Sequence, residues 1–345
     1  MTSHTHLEHL HALELPTPFP VGPITVYLTD APGEPLTLID TGPRTPDTRA
    51  ALQVGLRAQG YSPADLGRII VTHAHVDHFG LAGELASASG ARVLTHRWNI
   101  PSLADYRADR ERRTAFYSHL LFQASVPRDV GKAVDRATQA MHRFAEPVAV
   151  SDSLEDGQTL RLAGREWQVL HTPGHAAGLV CLYEPSSHLL LSSDHLLADI
   201  SSNPVVEPPP PGHDQRLHSL VLYKESLQRL GSMEIVEALP SHGPPIQNVR
   251  DLVGRRLSFH RRRSRKVVAA IRDGASTTWN IALALFPNRS SLDTFLAVSE
   301  VIGHLDMLEI EGLILAEEKG GRIRWTLTGE GVASALSLGS ASALS

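Results

Sequence analysis

A single cysteine, Cys181, stands in 345 residues. No disulfide can close within the chain, and a reducing compartment, the cytoplasm, is the natural setting. No apolar run approaches the roughly 18 residues of a membrane span, so no membrane role is expected. The opening MTSHTHLEHLHALELP lacks the basic start and apolar block of a secretory signal. An excess of positive charge is also missing. The formal net charge of -5 gives no whole-chain attraction to nucleic acid or to an anionic membrane, so such binding would need a local basic patch. Aromatic residues are sparse at 5%, but hydrophobic residues at 42% against 20% charged leave enough apolar surface for a sizeable core. The length exceeds one compact core and suggests a large domain with a small one.

What the chain has in abundance is histidine, 19 in all. His4, His6, His9 and His11 crowd the start, where a solvated, frayed terminus is the simpler reading than stray metal binding. Further on, strand-like and helix-like segments alternate. Residues 23–29 and 36–39 read as strands joined through Pro32-Gly33, and 46–59 as a helix ending at Gly60. Residues 68–72 (RIIVT) form an apolar strand, 79–89 a helix capped by Gly90, and 92–95 another strand. This is layered α/β architecture. Residues 97–145 turn rich in Arg, Ala, Asp and His and read as an insertion of two or three helices, either a packing element or a lid. Strands return at 158–162, 166–170, 179–183 and 188–192. The proline-rich 204–212 excludes helix and central strand and implies a surface loop, followed by a helix and a short strand at 234–239.

After about residue 250 the order becomes three helices and a hairpin, the hairpin turning at Lys319-Gly320-Gly321. That is the order of a winged helix. The expected division is a catalytic domain over 1–248, with its insertion at 97–145. A linker helix and winged helix follow over 249–331, then a tail over 332–345.

The strongest motif is THAHVDHFG, residues 72–80, with His73, His75, Asp77 and His78 between a strand and a helix. Imidazole nitrogen and carboxylate oxygen are good zinc ligands. Four such groups within six residues demand a loop that turns them inward, and as mere surface residues they would strand a dense titratable cluster beside an apolar strand. His175 in HTPGH, Asp194 at the end of LLLSSD and His242 in LPSHGP each end a strand and open a loop, which is how an α/β scaffold gathers a site from distant segments. His171 precedes a turn and reads as structural. Cys181 lies in the apolar GLVCLY and reads as core.

On these motifs, with Asp40 in LIDTG, residues 20–245 resemble the metallo-β-lactamase superfamily. The resemblance implies a four-layer αββα sandwich and two divalent metal ions, zinc, with iron or manganese accepted by the same donors. It implies His73, His75 and His175 on the first ion, Asp77, His78 and His242 on the second, and Asp194 bridging both. Asp40 is implied to orient the ligand loop from behind. Ser193-Asp194 stands where the family more often has Gly-Asp, and a carboxylate stands where secreted β-lactamases often have cysteine. The carboxylate in place of cysteine points away from a true β-lactamase and toward the hydrolase branches that keep a carboxylate bridge. The segment from His260 resembles the extension of the branch that includes lactamase-like protein 2.

The implied function is a dinuclear metal-dependent hydrolase in which a metal-bridging hydroxide attacks a small-molecule ester, thioester or lactone. Asp77 orients that hydroxide or carries the proton. The alternative is a metal-dependent endoribonuclease or phosphodiesterase acting on single-stranded RNA. Tyr106, Tyr117, His119 and Tyr223 are candidate pocket contacts whose simpler role is packing. The basic run Arg255, Arg256, Arg261, Arg262, Arg263, Arg265, Lys266 could track phosphates. The simpler reading is a solvated helix paired with acidic groups. The helix 292–309 carries Asp293, Glu300, Asp306 and Glu309 and no Lys or Arg, which speaks against DNA-groove binding. A homodimer is a further expectation.

Overall fold

The computed structural model describes residues 8–287 and 290–333. The tail expected over 332–345 and His4 and His6 therefore lie largely or wholly outside the described residues. The chain separates into two compact units. The first comprises residues 1–110, 141–202 and 232–250; the second comprises 111–140, 203–231 and 251–345.

In the first unit, six strands form one sheet in chain order: β1 (Leu10–Leu15), β2 (Ile24–Thr29), β3 (Thr37–Ile39), β4 (Arg68–Val71), β5 (Arg92–His96) and β6 (Asp152–Leu154). The first three pair antiparallel and the rest parallel. Three helices belong to this half: α1 (Pro46–Ala58), α2 (Val76–Phe79) and α3 (Ala82–Ser89). Thr45 starts α1 by accepting the Thr48 N–H, with Pro46 in the first turn, where its missing donor costs nothing. Gly90, at φ 72°, closes α3. Leu52 and Leu56 of α1 and Leu85 of α3 bury against Leu13, Leu15, Val26, Leu38 and Ile69 of the sheet.

A second sheet runs in the order β11-β10-β9-β8-β7. It contains β7 (Thr159–Leu162), β8 (Arg165–His171), β9 (Val180–Glu184), β10 (Leu189–Ser193) and β11 (Glu237–Pro240). β10 and β11 are parallel, and the other pairs antiparallel. The two sheets share a core in which Ile39, Ile70 and Leu94 of the first meet Trp167, Val169, Leu182 and Leu191 of the second. The central strands β3, β4, β9 and β10 are buried along most of their length, whereas β1 and β7 alternate buried and exposed residues. The first unit thus shows helices, sheet and sheet, three layers of the mixed α/β fold expected.

The strand β1 departs from the frayed terminus expected. In LHALEL the side chains of Leu13 and Leu15 alternate inward, and the histidines before and within it are used. His9 Nδ1 and His11 Nε2 each lie 3.0 Å from a different oxygen of Asp30.

The second unit is mainly helical. The insertion forms α4 (Ile100–Ala104), which belongs to the first unit, α5 (Tyr106–Gln123) and α6 (Arg128–Met141), within the two or three helices expected. Its residues 111–140, however, group with the C-terminal elements rather than with the sheets around them in sequence. The reason is apolar: Tyr117, Leu121, Val126 and Val134 share one cluster with Val206, Val267, Ile281, Val301, Leu305 and Trp325. That cluster is completed by α8 (Val249–Arg272), α9 (Thr278–Leu285), α10 (Ser291–Ile310) and the hairpin β12 (Ile314–Lys319) and β13 (Arg322–Leu327), while α7 (Ser219–Ser232) belongs to the same unit. Three helices then hairpin is the order read from the sequence. The proline-rich segment is irregular but not a surface loop: Val205 and Val206 are buried. Proline has no N–H to satisfy, so such a segment buries at low cost, and the Val206 N–H finds the Ser299 hydroxyl at 2.7 Å.

Candidate metal centre

Asp40, His73, His175, Asp194 and His242 all follow a strand directly or by a short loop, those strands being β3, β4, β8, β10 and β11. β3 and β4 run parallel, as do β10 and β11, so these ends lie on one edge of the sandwich. The motif 73–78 turns sharply there. His75 precedes α2, which carries Asp77 and His78 in its single turn. Gly80 permits this turn, because a Cβ on it would sit 2.3 Å from the Phe144 carbonyl oxygen and 2.5 Å from the Arg44 nitrogen.

Three groups of donor atoms result, each with its atoms within 4.8 Å of one another: His73, His75 and His175; His73, His78 and Asp194; Asp77, His78 and His242. His75 Nδ1 is 3.0 Å from His73 Nε2 and 3.0 Å from His175 Nε2. His242 Nε2 is 3.4 Å from Asp77 Oδ2. Asp194 stands between the sets, with Oδ2 at 3.6 Å from His175 Nε2 and 3.5 Å from His78 Nε2, and Oδ1 at 3.8 Å from His242 Nε2. Every residue expected as a ligand is therefore in one cluster.

The outward nitrogens are occupied. His78 Nδ1 lies 2.8 Å from Asp40 Oδ2, His242 Nδ1 donates to the Pro23 carbonyl at 2.8 Å, and His175 Nδ1 meets the Ser202 hydroxyl at 2.8 Å. Asp40 also accepts from the Thr72 N–H and hydroxyl, both at 2.8 Å, so it braces the motif at its first residue and at its last histidine. Ser202 and Pro23 were not among the expected site residues. No local pattern marks them, because what matters is a contact made across 27 and 219 residues.

The inward atoms are not occupied: His78 Nε2, Asp194 Oδ1 and His242 Nε2 are buried without a hydrogen-bond partner. Each such atom costs about 1–3 kcal/mol, and three converging ones are what a cation would satisfy. Imidazole and carboxylate donors suit zinc, and the outer hydrogen bonds fix the rings so that Nε2 of His78 and His242 points inward. The residues fit a metal centre.

Electrostatics agree. Burial lowers the basicity of His78, but Asp194, Asp40 and Asp77 outweigh it and hold the imidazole well above its ordinary range. Burial raises the Asp194 carboxyl, yet His78, His242 and His175 hold it far below the usual carboxylate value. Burial and the neighbouring histidines keep His73 neutral, well below its ordinary value. A cation can therefore replace the protons the carboxylates hold on these rings.

Two residues here take left-handed backbone, Asp40 at φ 60° and Ser193 at φ 46°, a conformation that costs a side-chain-bearing residue about 1–2 kcal/mol. Ser193 falls at an irregularity in the β10–β11 register, which turns Asp194 out of the sheet. Glycine is the residue expected at such a position; the serine hydroxyl instead meets Thr72 Oγ1 at 2.8 Å.

The loop carrying His175 is held at several points. His171 Nε2 lies 2.8 Å from the Ala177 carbonyl oxygen, and Asn99 Nδ2 donates to the Gly178 carbonyl at 2.8 Å. A Cβ at Gly178 would sit 2.3 Å from Asn99 Oδ1 and would displace the amide that holds this loop. His171 is structural, as expected. Cys181 is buried, with its sulfur 3.2 Å from Thr172 Oγ1. Of the candidate pocket contacts, Tyr117 and Tyr223 are core residues, Tyr106 donates to the His142 carbonyl, and His119 is exposed. Among the described residues no helix is long and apolar enough to cross a membrane.

Known proteins point the same way. A family model described as the metallo-beta-lactamase superfamily matches residues 19–242. A probable metallo-hydrolase, YqjP of Bacillus subtilis, is 35% identical over 317 residues, 92% of this chain and 97% of that one. The acyl-coenzyme A thioesterase MBLAC2 of Gallus gallus is 27% identical over 125 residues, 36% of this chain and 40% of that one. Among solved structures, the metallo-beta-lactamase family protein TTHA1429 of Thermus thermophilus superposes with a TM-score of 0.78 at 28% identity, covering 93% of this chain and 99% of its own.

Proposed function

This chain belongs to the metallo-beta-lactamase superfamily of metallohydrolases, and we propose that it is a dinuclear zinc hydrolase of small-molecule thioesters. The carrying observation is the donor arrangement, three overlapping groups of three with Asp194 near His175, His78 and His242. His73, His75 and His175 would hold one ion, Asp77, His78 and His242 the other, and Asp194 both. Bound there, divalent ions supply Lewis-acid polarisation of a carbonyl and water acidic enough to ionise near neutral pH.

The protein side of the chemistry lies with the residues around those ions. Asp40 and Thr72 hold the His73–His78 loop, and Ser202 holds His175, so the donors need not reorganise on binding. Asp77 is ionised, since His78 and the bond from His242 outweigh its burial. It is thus able to accept a proton from attacking water and return it to the leaving group. A thiolate leaves readily and needs little help, which suits a site where Asp77 is the proton carrier. Cys181, buried against Thr172, is no nucleophile. The kinship with an acyl-coenzyme A thioesterase favours the thioester over the ester and lactone.

The test is a substrate panel on protein whose metal content has been quantified, with released thiol read colorimetrically. Acyl-coenzyme A esters should turn over at least tenfold faster than matched oxygen esters, and bis-p-nitrophenyl phosphate should be inert. Faster phosphodiester cleavage would replace this reading with the nuclease alternative.

A further inference from the structure

The helix α8 holds nine of the chain's cations and one acid, Asp251. With a chain total of -5, the other residues sum to -13, from 23 Lys and Arg against 36 Asp and Glu. Charge is therefore segregated onto one element, not scattered for solubility.

The packing sorts these cations. Leu252, Val253, His260, Ser264, Val267, Val268 and Ile271 are buried along one side. Arg255, Arg261, Arg262, Arg265, Lys266 and Arg272 are exposed, and at 3.6 residues per turn they fall within an arc of about 140° on the opposite side. The simpler sequence reading is a solvated helix that also pairs with acidic groups. Arg263, on the flank, reaches another element, its Nε lying 3.5 Å from Glu300 Oε1. Arg272 pairs with its neighbour Asp273, and Arg261 donates to Ser258. Among the described residues, Arg255, Arg262, Arg265 and Lys266 have no ion pair. Arg261 with Arg265, and Arg262 with Lys266, stand one turn apart as like-charge pairs, an arrangement that weakens a helix unless something else compensates.

We propose that this face of α8 is a docking surface for the phosphate backbone of a single-stranded nucleic acid. Five of its six cations are arginine, whose planar fork matches phosphate oxygens two at a time. Cations one turn apart, about 6 Å, meet successive charges of a flexible strand. The face carries no large apolar side chain, so it cannot seat itself in a bilayer as an interfacial helix does. It carries no aromatic ring on which bases could stack, so binding here is insensitive to sequence. The acidic α10 leaves groove reading of a duplex without a recognition element. This surface does not require that nucleic acid be the substrate and stands apart from the thioester reading.

The experiment is fluorescence anisotropy of a labelled 20-nucleotide oligouridylate against the full-length protein over a range of salt. The wild type should bind at low salt, with affinity falling steeply as salt rises. In the variant Arg255→Gln/Arg262→Gln/Arg265→Gln/Lys266→Gln the slope of log affinity on log salt should shrink by about 0.7 per cation removed, up to roughly 3 units. Affinity at the lowest salt should fall at least tenfold. Far-ultraviolet dichroism and unchanged thioester hydrolysis check that the variant is folded. A set of Arg→Lys changes at the three arginines should keep the slope while weakening binding severalfold. An unchanged slope in the glutamine variant, no binding by the wild type, equal competition by polyglutamate, or tighter association with phosphatidylserine vesicles would each overturn the proposal.

Discussion

Two groups of buried histidines lie in this chain, and their surroundings give them opposite tasks. Around His78 and His242 stand three carboxylates, Asp40, Asp77 and Asp194, and both imidazoles are more basic than usual despite burial. In the helical unit, His260 and His304 are equally buried, with ring centroids 5.6 Å apart. Burial lowers both, and Lys224 and Arg263 lower them further, leaving His260 at about 4. Burial alone therefore does not make a histidine a metal ligand. The carboxylates make the first cluster attractive to a cation, and the cationic neighbours make the second repel one.

The largest effect that would break this contrast is acid sensitivity. The folded value of His260, about 4, lies below the unfolded value of about 6.5. Its neutral form thus contributes stability that is complete above pH 6.5 and is lost as pH falls toward 4, to the extent of about 3 kcal/mol. Denaturant titrations of metal-stripped wild type and His260→Gln should show the wild type losing that much more than the variant across this range. Equal pH slopes would mean that His260 is protonated in the fold. A smaller effect sharpens the other side of the comparison. Replacing Asp40 by Ala should weaken metal binding by about 10–100-fold, since it removes the carboxylate behind His78 and the acceptor of Thr72. Replacing Ser202 by Ala takes only a neutral hydroxyl from His175 and should cost less than about tenfold. Chelator competition with each variant reads both; a larger loss in the serine variant would reverse the assignment of the stronger brace.

How much of this was legible in the sequence differs between the same two regions. Four of the seven clustered donors, His73, His175, Asp194 and His242, were readable because they follow strands that reveal themselves through short β-branched and leucine-rich runs such as RIIV and LLLSS, and His75, Asp77 and His78 because they crowd the same motif. The braces were not. Pro23 offers only a backbone carbonyl, and Ser202 sits in a loop with no periodicity. The strand β1 was hidden because its histidines suggested a loose end, although Leu13 and Leu15 alternate as a strand requires. The pairing of the 111–140 helices with the C-terminal elements was illegible for a different reason. A helical apolar stripe shows that a face is buried but not which partner buries it, and here the partner lies more than a hundred residues onward.

The claim on which the rest depends is best tested by elemental analysis of protein purified without chelators, wild type beside His75→Ala. The account predicts about two metal ions per chain in the wild type and about one in the variant, the loss falling on the set that contains His73 and His175. A wild type that carries no metal, or a variant with undiminished content, would contradict it.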